Sequence, residues 1–273
     1  MVQVGNGMAD ARWLVAPHEG MRAFLRLMAE AAEALGGRVV AEPFHGRFGF
    51  FIDAGGRAHA VHGAALGLNG DAAARLAGDK DYAAKVLGYA GVPVPEHVIV
   101  LAGRDAAPGL AWAREESGFP LWVKPNGGHG GAGVVRVADV EALAAAMKPL
   151  RAGGGHVLLQ SHVPGREFRV MVLEGRVVLA YERVGAAGGP GNLSAGGAVR
   201  DGTPGPEAEA LAVRAVAALG LRWGGVDVIA GAAGPVVLEV NAAPGLDGYA
   251  ASAPERWVRA REAMREALAV LAG

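Results

Sequence analysis

The densest glycine cluster of the chain, NGGHGGAG (126–133), is bounded by β-prone sequence on both sides, FPLWVKP (119–125) before it and VVRV (134–137) after it. Those flanks discriminate among the glycine-loop folds. The letters from Gly128 to Gly133 satisfy G-x-G-x-x-G, but a dinucleotide-binding turn opens a helix and carries an acidic residue about 20 positions on. Here the loop opens on a strand, and the position that far along falls within Gly153-Gly154-Gly155. A Walker A loop ends in Gly-Lys-Ser/Thr, whereas Lys124 precedes this loop. The protein-kinase loop lies between strands and its pattern matches through Val135, yet no His-Arg-Asp or Asp-Phe-Gly segment follows. What remains is a strand carrying a lysine, a glycine loop and a returning strand. Missing Cβ atoms let the backbone N–H groups of such a loop close around phosphate oxygens, and an ammonium at Lys124 can reach the same oxygens. A surface hairpin with a flexible tip is the alternative.

Toward the C-terminus, GGVDVIAGAAGPVVLEVNAAPG (224–245) reads as two short strands around a turn, with Asp227 on the first and Glu239 and Asn241 on the second. Carboxylate and amide oxygens are hard ligands suited to Mg²⁺ beside nucleotide phosphates. A buried carboxylate in so apolar a stretch is costly without a partner. Pro235 has no N–H to give a ladder, so the turn is expected over Gly231 to Pro235. Ala230 then faces Val236 and Asp227 faces Glu239. All three polar residues share one side, with Val226, Val228, Leu238 and Val240 on the core side. Opposed carboxylates call for a cation between them. A structural salt bridge or a turn-capping role is the competing account.

The rest of the sequence sets bounds. No cysteine is present, which excludes disulfides, thiolate nucleophiles and Cys-bound zinc. Lys+Arg 26 against Asp+Glu 27 leaves a net charge of -1, so no broad basic field marks a nucleic-acid partner. No basic-then-apolar leader opens the chain, and no apolar run approaches the roughly 18 residues that span a bilayer. A soluble cytoplasmic protein with no membrane partner is expected.

Apolar Met21, Phe24, Leu25, Met28, Ala32 and Leu35 recur at helical spacing and predict a helix over 19–35, flanked by short strands at 13–16 and 38–41. A hairpin turning at Gly55-Gly56 follows. Asn69 or Asp71 is a candidate cap for a helix over 71–78, and 79–91 reads as a second helix. Beyond the glycine loop come a helix over 139–150, a strand over 156–163 and a hairpin turning near Glu174-Gly175. A long loop over 184–206 is of the length that carries function. Helices over 206–220 and 254–273 flank the acidic hairpin. The expected division is a small N-terminal α/β lobe over 1–70, a lobe with the glycine loop over 71–160, and a C-terminal lobe with the acidic hairpin over 161–273.

Lys80 in DKDYAAKVLGYAGVPVP, Lys124 in VKPNGGHGGAGVV, Glu167 in PGREFRV and the closing VDVI…VVLEVNAAPGLDGY occur in the order and spacing of the ATP-grasp superfamily, over about residues 70–273. The last segment most resembles ribosomal-protein glutamate ligases, lysine-biosynthesis carrier-protein ligases and cyanophycin synthetase. The resemblance implies an α/β chain of α+β lobes in the ATP-grasp fold. It also implies a reduced N-terminal lobe, because about 70 residues stand where the family usually has a fuller Rossmann-like domain.

Site roles follow from the resemblance too. Lys80 and Lys124 contact nucleotide phosphates, together with the loop glycines Gly127, Gly128, Gly130, Gly131 and Gly133. Gln160, Ser161, His162 and Val163 form the linker where adenine is read, largely by backbone. Glu167 binds ribose hydroxyls. Arg169 and Arg183 stabilise an acyl phosphate, and Asn192 with Gly196-Gly197 lies near the triphosphate and the acceptor. Asp227, Glu239 and Asn241 hold Mg²⁺, or Mn²⁺ in its place. Without the resemblance, Lys80 reads as a solvated helix lysine, and Glu167 and the arginines as partners on a hairpin face. His129 and His162 lack paired metal spacing and read as incidental. The tryptophans read as core or rim.

The activity implied is an ATP-dependent ligase joining a carboxylate to an amine through an acyl phosphate, with an amino acid, peptide or carrier protein as substrate and the 184–206 loop as a lid. A phosphotransferase on the same fold and a nucleotide-binding module without catalysis are the other classes. Both lysines, Glu167 and all three metal candidates are retained, which weighs against a module without catalysis. A homo-oligomer remains open.

Overall fold

The computed structural model describes residues 14–15, 22–41, 48–128, 130–185, 191, 193 and 196–273. Three antiparallel sheets organise them. The first has strands in the order β1 (Leu14–Val15), β2 (Arg38–Ala41), β3 (Phe48–Ile52) and β4 (Ala58–His62). Helix α1 (Ala23–Glu33) buries the expected Met28 and Ala32 together with Leu27, Ala29 and Ala31, leaves Phe24 and Leu25 partly buried, and ends two residues before the expected Leu35. The expected residues 13, 16 and 19–21 lie outside those described.

Two helices bridge to the second sheet. Helix α2 (Asp71–Gly78) has Gly70 at its N-cap and no side-chain cap. Asn69 is committed elsewhere: its Nδ2 donates to the carbonyls of Trp223 and Ala242, and its Oδ1 accepts from the N–H groups of Arg222 and Trp223. The expected cap is thus a cross-link into the last hairpin. Helix α3 (Lys80–Tyr89) is capped by Asp79, whose carboxylate accepts from the Tyr82 N–H.

The second sheet runs β5 (His97–Val100), β8 (Val157–Ser161), β6 (Leu121–Pro125), β7 (Val135–Val137). It is covered by α5 (Val140–Ala152), capped by Asp139, and by α4 (Ala107–Trp112) with the π-helical turn Ala113–Ser117. Nothing in the periodicity marks α4, which contains Pro108 and Gly109 in a single turn and a half.

The third sheet is ordered β11 (Ala198–Arg200), β10 (Arg176–Val184), β9 (Arg166–Leu173), β12 (Trp223–Gly231), β13 (Gly234–Asn241). Helix α6 (Pro206–Ala218) packs on it, and α7 (Asp247–Ala250) and α8 (Pro254–Ala272) end the chain. Glu174 and Gly175 both have positive φ, as a two-residue hairpin turn between right-twisted strands demands. The segment expected as one loop over 184–206 contains β11, which pairs with β10.

Alternation along these strands gives the sheet two different faces. Phe168, Val170, Val172, Val226, Val228, Val237 and Val240 are buried beneath α6. On the other face, Met171, Leu173, Leu179, Tyr181 and Trp223 join a core shared with α1, α7 and α8. The remainder of that second face is polar and open.

The acidic hairpin reaches the expected pairing by a different route. Its turn is tighter than Gly231 to Pro235: Gly231 pairs with Gly234 and Ala230 with Pro235, so Pro235 belongs to the strand. A bulge between Asp227 and Val228 then restores the register, and Asp227 does face Glu239. Because the extra residue is Leu238, Val237 takes the core place expected for Leu238, and Leu238 lines the open side. The edge position of β13 lets it carry Pro235 at no cost to a ladder.

Candidate active site

The polar part of the third sheet forms one wall of a cleft of about 780 Å³. Cross-strand register aligns Tyr181, Arg169, Asp227 and Glu239 in one row over β10, β9, β12 and β13. Arg183 and Glu167 stand opposite each other in the next row on the same side. The facing wall holds Lys80 at the start of α3, Lys124 on β6, and Gly128, Gly130 and Gly131 of the loop. Gln160, His162 and Val163 close the end where β8 leads into β9. Three expected residues do not line the cleft. Gly127 is exposed, Gly133 packs toward Pro125 and Leu150, and Ser161 turns its hydroxyl to Ser117 at 2.7 Å. Asn192 and His129 lie outside the described residues.

Each charge in the cleft has an identifiable support. Lys80 Nζ donates to the carbonyl of Gly128 and lies 3.7 Å from Glu239 Oε1. Lys124 Nζ donates to Gln160 Oε1 at 2.8 Å. Burial pushes Lys124 down to about 8, against the pull of Glu239 and with a further push from Lys80. Asn126, which sequence reasoning passed over, fastens the two lysine-bearing elements together. Its Oδ1 accepts from the Asp81 N–H and its Nδ2 donates to Asp79 Oδ1, both at 2.9 Å. A polar residue directly after Lys124-Pro125 at the end of a buried strand was the available signal.

On the sheet wall, Asp227 accepts from Arg169 Nε at 2.6 Å, from Arg169 Nη2 at 3.2 Å and from Arg183 Nη1 at 2.8 Å. Burial alone would raise this carboxyl, but the two guanidiniums hold it below the usual carboxylate range. Burial and the neighbouring Asp227 raise Glu167 instead, opposed by Arg183 and Arg169. Arg183 also donates from Nε to the Gly191 carbonyl at 2.8 Å, which ties the start of the 191–197 segment to the sheet. Arg169 lies flat over Gly225: a Cβ there would sit 2.8 Å from Arg169 Nη1 and 2.6 Å from Pro244 Cβ. At the far end, the Trp122 indole donates to His162 Nδ1 at 3.1 Å, so a histidine that read as incidental shapes the cleft wall with a tryptophan that read as core or rim.

The donor chemistry bears on the metal expectation. Asn241 Nδ2 donates to the Gly225 carbonyl at 3.5 Å, which leaves Oδ1 as an acceptor on the same strand side as the Glu239 carboxylate. Two such oxygens fit Mg²⁺, which takes few protein ligands and completes its shell with phosphate oxygens and water. Asp227 is in a different state, with both oxygens already accepting from guanidiniums. Among the described residues, no group of three His, Asp or Glu side chains forms a metal cage by itself. At the centre of the cleft, Lys80, Lys124, Arg169 and Arg183 outnumber Glu167, Asp227 and Glu239, an excess that suits a polyanionic ligand.

Known proteins resemble this chain in sequence and fold. A family model described as the RimK-like ATP-grasp domain matches residues 77–253. The ribosomal protein bS6–L-glutamate ligase of Salmonella paratyphi B is 34% identical over 185 residues, covering 66% of this chain and 61% of its own length. The crystal structure of a D-cycloserine synthetase is 29% identical with a TM-score of 0.56, covering 71% of each chain. An ATP-grasp ligase solved with a phosphomimetic variant of its minimal precursor, Mg and ADP is 25% identical with a TM-score of 0.54, covering 72% of this chain and 62% of that one. The chain spans about three fifths of the length of the curated relatives it matches. No helix among the described residues is long and apolar enough to cross a membrane. The glycine loop between strands, the two lysines that flank it and the acidic hairpin across the cleft all fall inside the matched segment, and the chain belongs to the RimK-like ATP-grasp family.

Proposed function

We propose that this chain is an ATP-dependent ligase that joins a carboxylate to an amine through an acyl phosphate, releasing ADP and phosphate. The observation that carries the reading is the cleft's two opposed walls. Lys80, Lys124 and the glycine loop face Arg169, Arg183, Asp227, Glu239 and Asn241. A carboxylate does not acylate an amine directly, because its oxygen is a poor leaving group. In the first step a carboxylate oxygen of the acid attacks the γ-phosphorus of ATP, and the bond to the β-phosphate oxygen breaks. Lys80, Lys124 and loop N–H groups hold the phosphates while charge shifts toward the leaving ADP. Arg169 and Arg183, oriented by Asp227, present fixed N–H donors to the acyl phosphate, as planar guanidiniums do for planar oxyanions. Glu239 and Asn241, with Asp227 as a third candidate, would hold Mg²⁺, which supplies charge neutralisation at the phosphate oxygens.

Gln160 to Val163 are proposed to read the base and Glu167 the ribose. Asn192 and the loop glycines, Gly127 and Gly133 included, are proposed to border the triphosphate. An amino acid or peptide is the proposed substrate, on the support of a relative named as a glutamate ligase and another solved with its precursor. The lobes expected at 1–70, 71–160 and 161–273 are proposed to close on the nucleotide. The test is ADP and phosphate release measured with acid and amine pools, singly and together. Release that requires both supports the ligase. Release with one compound alone and a stable phosphorylated product would replace it with a phosphotransferase.

A further inference from the structure

Five carboxylates line the cleft, and four of them meet a cation on the sheet or on α3. Asp227 pairs with two arginines, Glu167 lies 3.5 Å from Arg183, Glu182 pairs with Arg166, and Glu239 lies 3.7 Å from Lys80. The fifth is Asp247, the first residue of α7, just past the turn 243–246 that leaves β13; this segment forms the cleft wall beyond Asn241. Its interaction is a longer-range one with Arg22, ahead of α1. The segment 243–248 is packed against the cleft from both sides. Pro244 crowds Gly225 together with the Arg169 guanidinium. Gly248 abuts Leu193, two residues from the Gly191 that binds Arg183. Solvent reaches Asp247, yet the surrounding protein desolvates its carboxyl and raises it, with Arg22 pulling the other way.

The ligase reading leaves one chemical task without a residue. The nucleophile arrives as an ammonium, which has no lone pair, and must lose protons as the new bond forms. We propose that Asp247 is the catalytic residue that binds the acceptor's ammonium and removes its proton, so the acceptor is a primary or secondary amine charged at neutral pH. The balance is R–CO–OPO₃²⁻ + R′–NH₃⁺ → R–CO–NH–R′ + HPO₄²⁻ + H⁺. The C–N bond forms, the acyl C–O bond to phosphate breaks, and the released proton passes from nitrogen to Asp247 and on to water. One proton leaves before attack, to Asp247 and on to water, and frees the lone pair; the second leaves as the C–N bond forms, when the nitrogen is strongly acidic, and departs with the phosphate. Arg169 and Arg183 are already committed to Asp227 and to the acyl phosphate, which leaves Asp247 as the anion facing the incoming cation.

This inference rests on the ligase reading, and one experiment separates the two. Hydroxylamine is uncharged near neutral pH and traps an acyl phosphate as a hydroxamate without help in losing a proton beforehand. The twenty amino acids and a pool of short peptides are supplied as the acid, with hydroxylamine or an amino acid as the nucleophile. The ratio of amide to hydroxamate is then compared between wild type, Asp247→Asn and Asp247→Glu. A general base of this kind contributes on the order of 10²–10⁴ in rate, so Asp247→Asn should lower the ratio at least about tenfold and Asp247→Glu should recover part of it. A misfolded variant would lose both products together, and because the ratio is taken within one preparation, partial unfolding does not change it. A ratio that stays within about twofold of wild type in Asp247→Asn, or falls equally in Asp247→Glu, overturns the assignment. No hydroxamate from wild type with any acid overturns the ligase reading, and this inference with it.

Discussion

Lys124 shows how much one residue's surroundings constrain the chemistry. Its ammonium is buried, its pKa is pushed down to about 8, and Gln160 is its hydrogen-bond partner. Below about pH 8 it is charged and attracts a triphosphate. As pH rises through that value the free protein loses the proton, while a bound polyanion keeps it on. Binding above pH 8 therefore takes up a proton, and ATP affinity should fall by roughly tenfold per pH unit there. Calorimetry at pH 8.5 in two buffers of different ionisation enthalpy would reveal the uptake, and Lys124→Gln should abolish it. Turnover in Lys124→Gln should drop by on the order of 10²–10³; near-wild-type turnover in a folded variant would remove Lys124 from the mechanism. Gly225 makes the complementary point. A Cβ there collides with rigid Pro244 and with Arg169, so Gly225→Ala should cost about 1–3 kcal/mol in stability and displace the guanidinium. Denaturant unfolding and turnover should both register that change.

Strands and loops were legible in the sequence to different depths. The glycine loop and the hairpin turning at Glu174-Gly175 follow from composition and turn chemistry, and the structure has them, with a bulge between Val177 and Leu179 that the sequence does not announce. The last hairpin shows the limit of that reasoning. Alternation fixes which residues share a face only in an unbroken ladder, and a bulge at Leu238 offset a turn shorter than expected. Helix α4 left no trace because a helix this short has no period to detect. Asn69 was legible as a polar residue at a helix start, but its true partners lie more than 150 positions away, beyond any local rule. It satisfies the Trp223 carbonyl and N–H at the start of β12 and the Ala242 carbonyl just past Asn241. Asn69→Ala leaves those groups unpaired at about 1–3 kcal/mol for the least solvated of them. It should lower the unfolding midpoint and loosen the Asn241 end of the hairpin, seen as faster amide exchange at Asn241, Ala242 and Ala243. Exchange unchanged from wild type would mean the cross-link is not what holds that end.

At the scale of the whole molecule, the decisive fact is how the N-terminal sheet is attached. The family match begins at residue 77, so it leaves the small N-terminal lobe expected over 1–70 without a matched counterpart. Its packing ties it to the rest of the chain. Leu27, Met28, Ala31 and Ala32 of α1, Val39 of β2, Phe51 of β3 and Val61 of β4 form one core with Met171, Leu173, Trp223, Tyr249, Met264 and Leu268. Trp223 and Tyr249 are among the largest fully buried side chains described, and they lie on elements that also build the cleft. Trp223 opens β12, which carries Asp227, and Tyr249 stacks on Tyr181 at 4.4 Å, in the row that holds Arg169. Removing residues 1–68 would return these aromatic faces to water, each at a cost of roughly 1.5–3 kcal/mol, several such losses being comparable with the whole stability of a domain. The remaining chain should then fail to unfold in a single cooperative transition, expose dye-binding apolar surface and lose nucleotide binding, although every proposed phosphate and metal ligand is still present. A 69–273 fragment that melts cooperatively and binds ATP with wild-type affinity would show instead that the shared core only covers the sheet, and that the site is held by the second and third sheets alone.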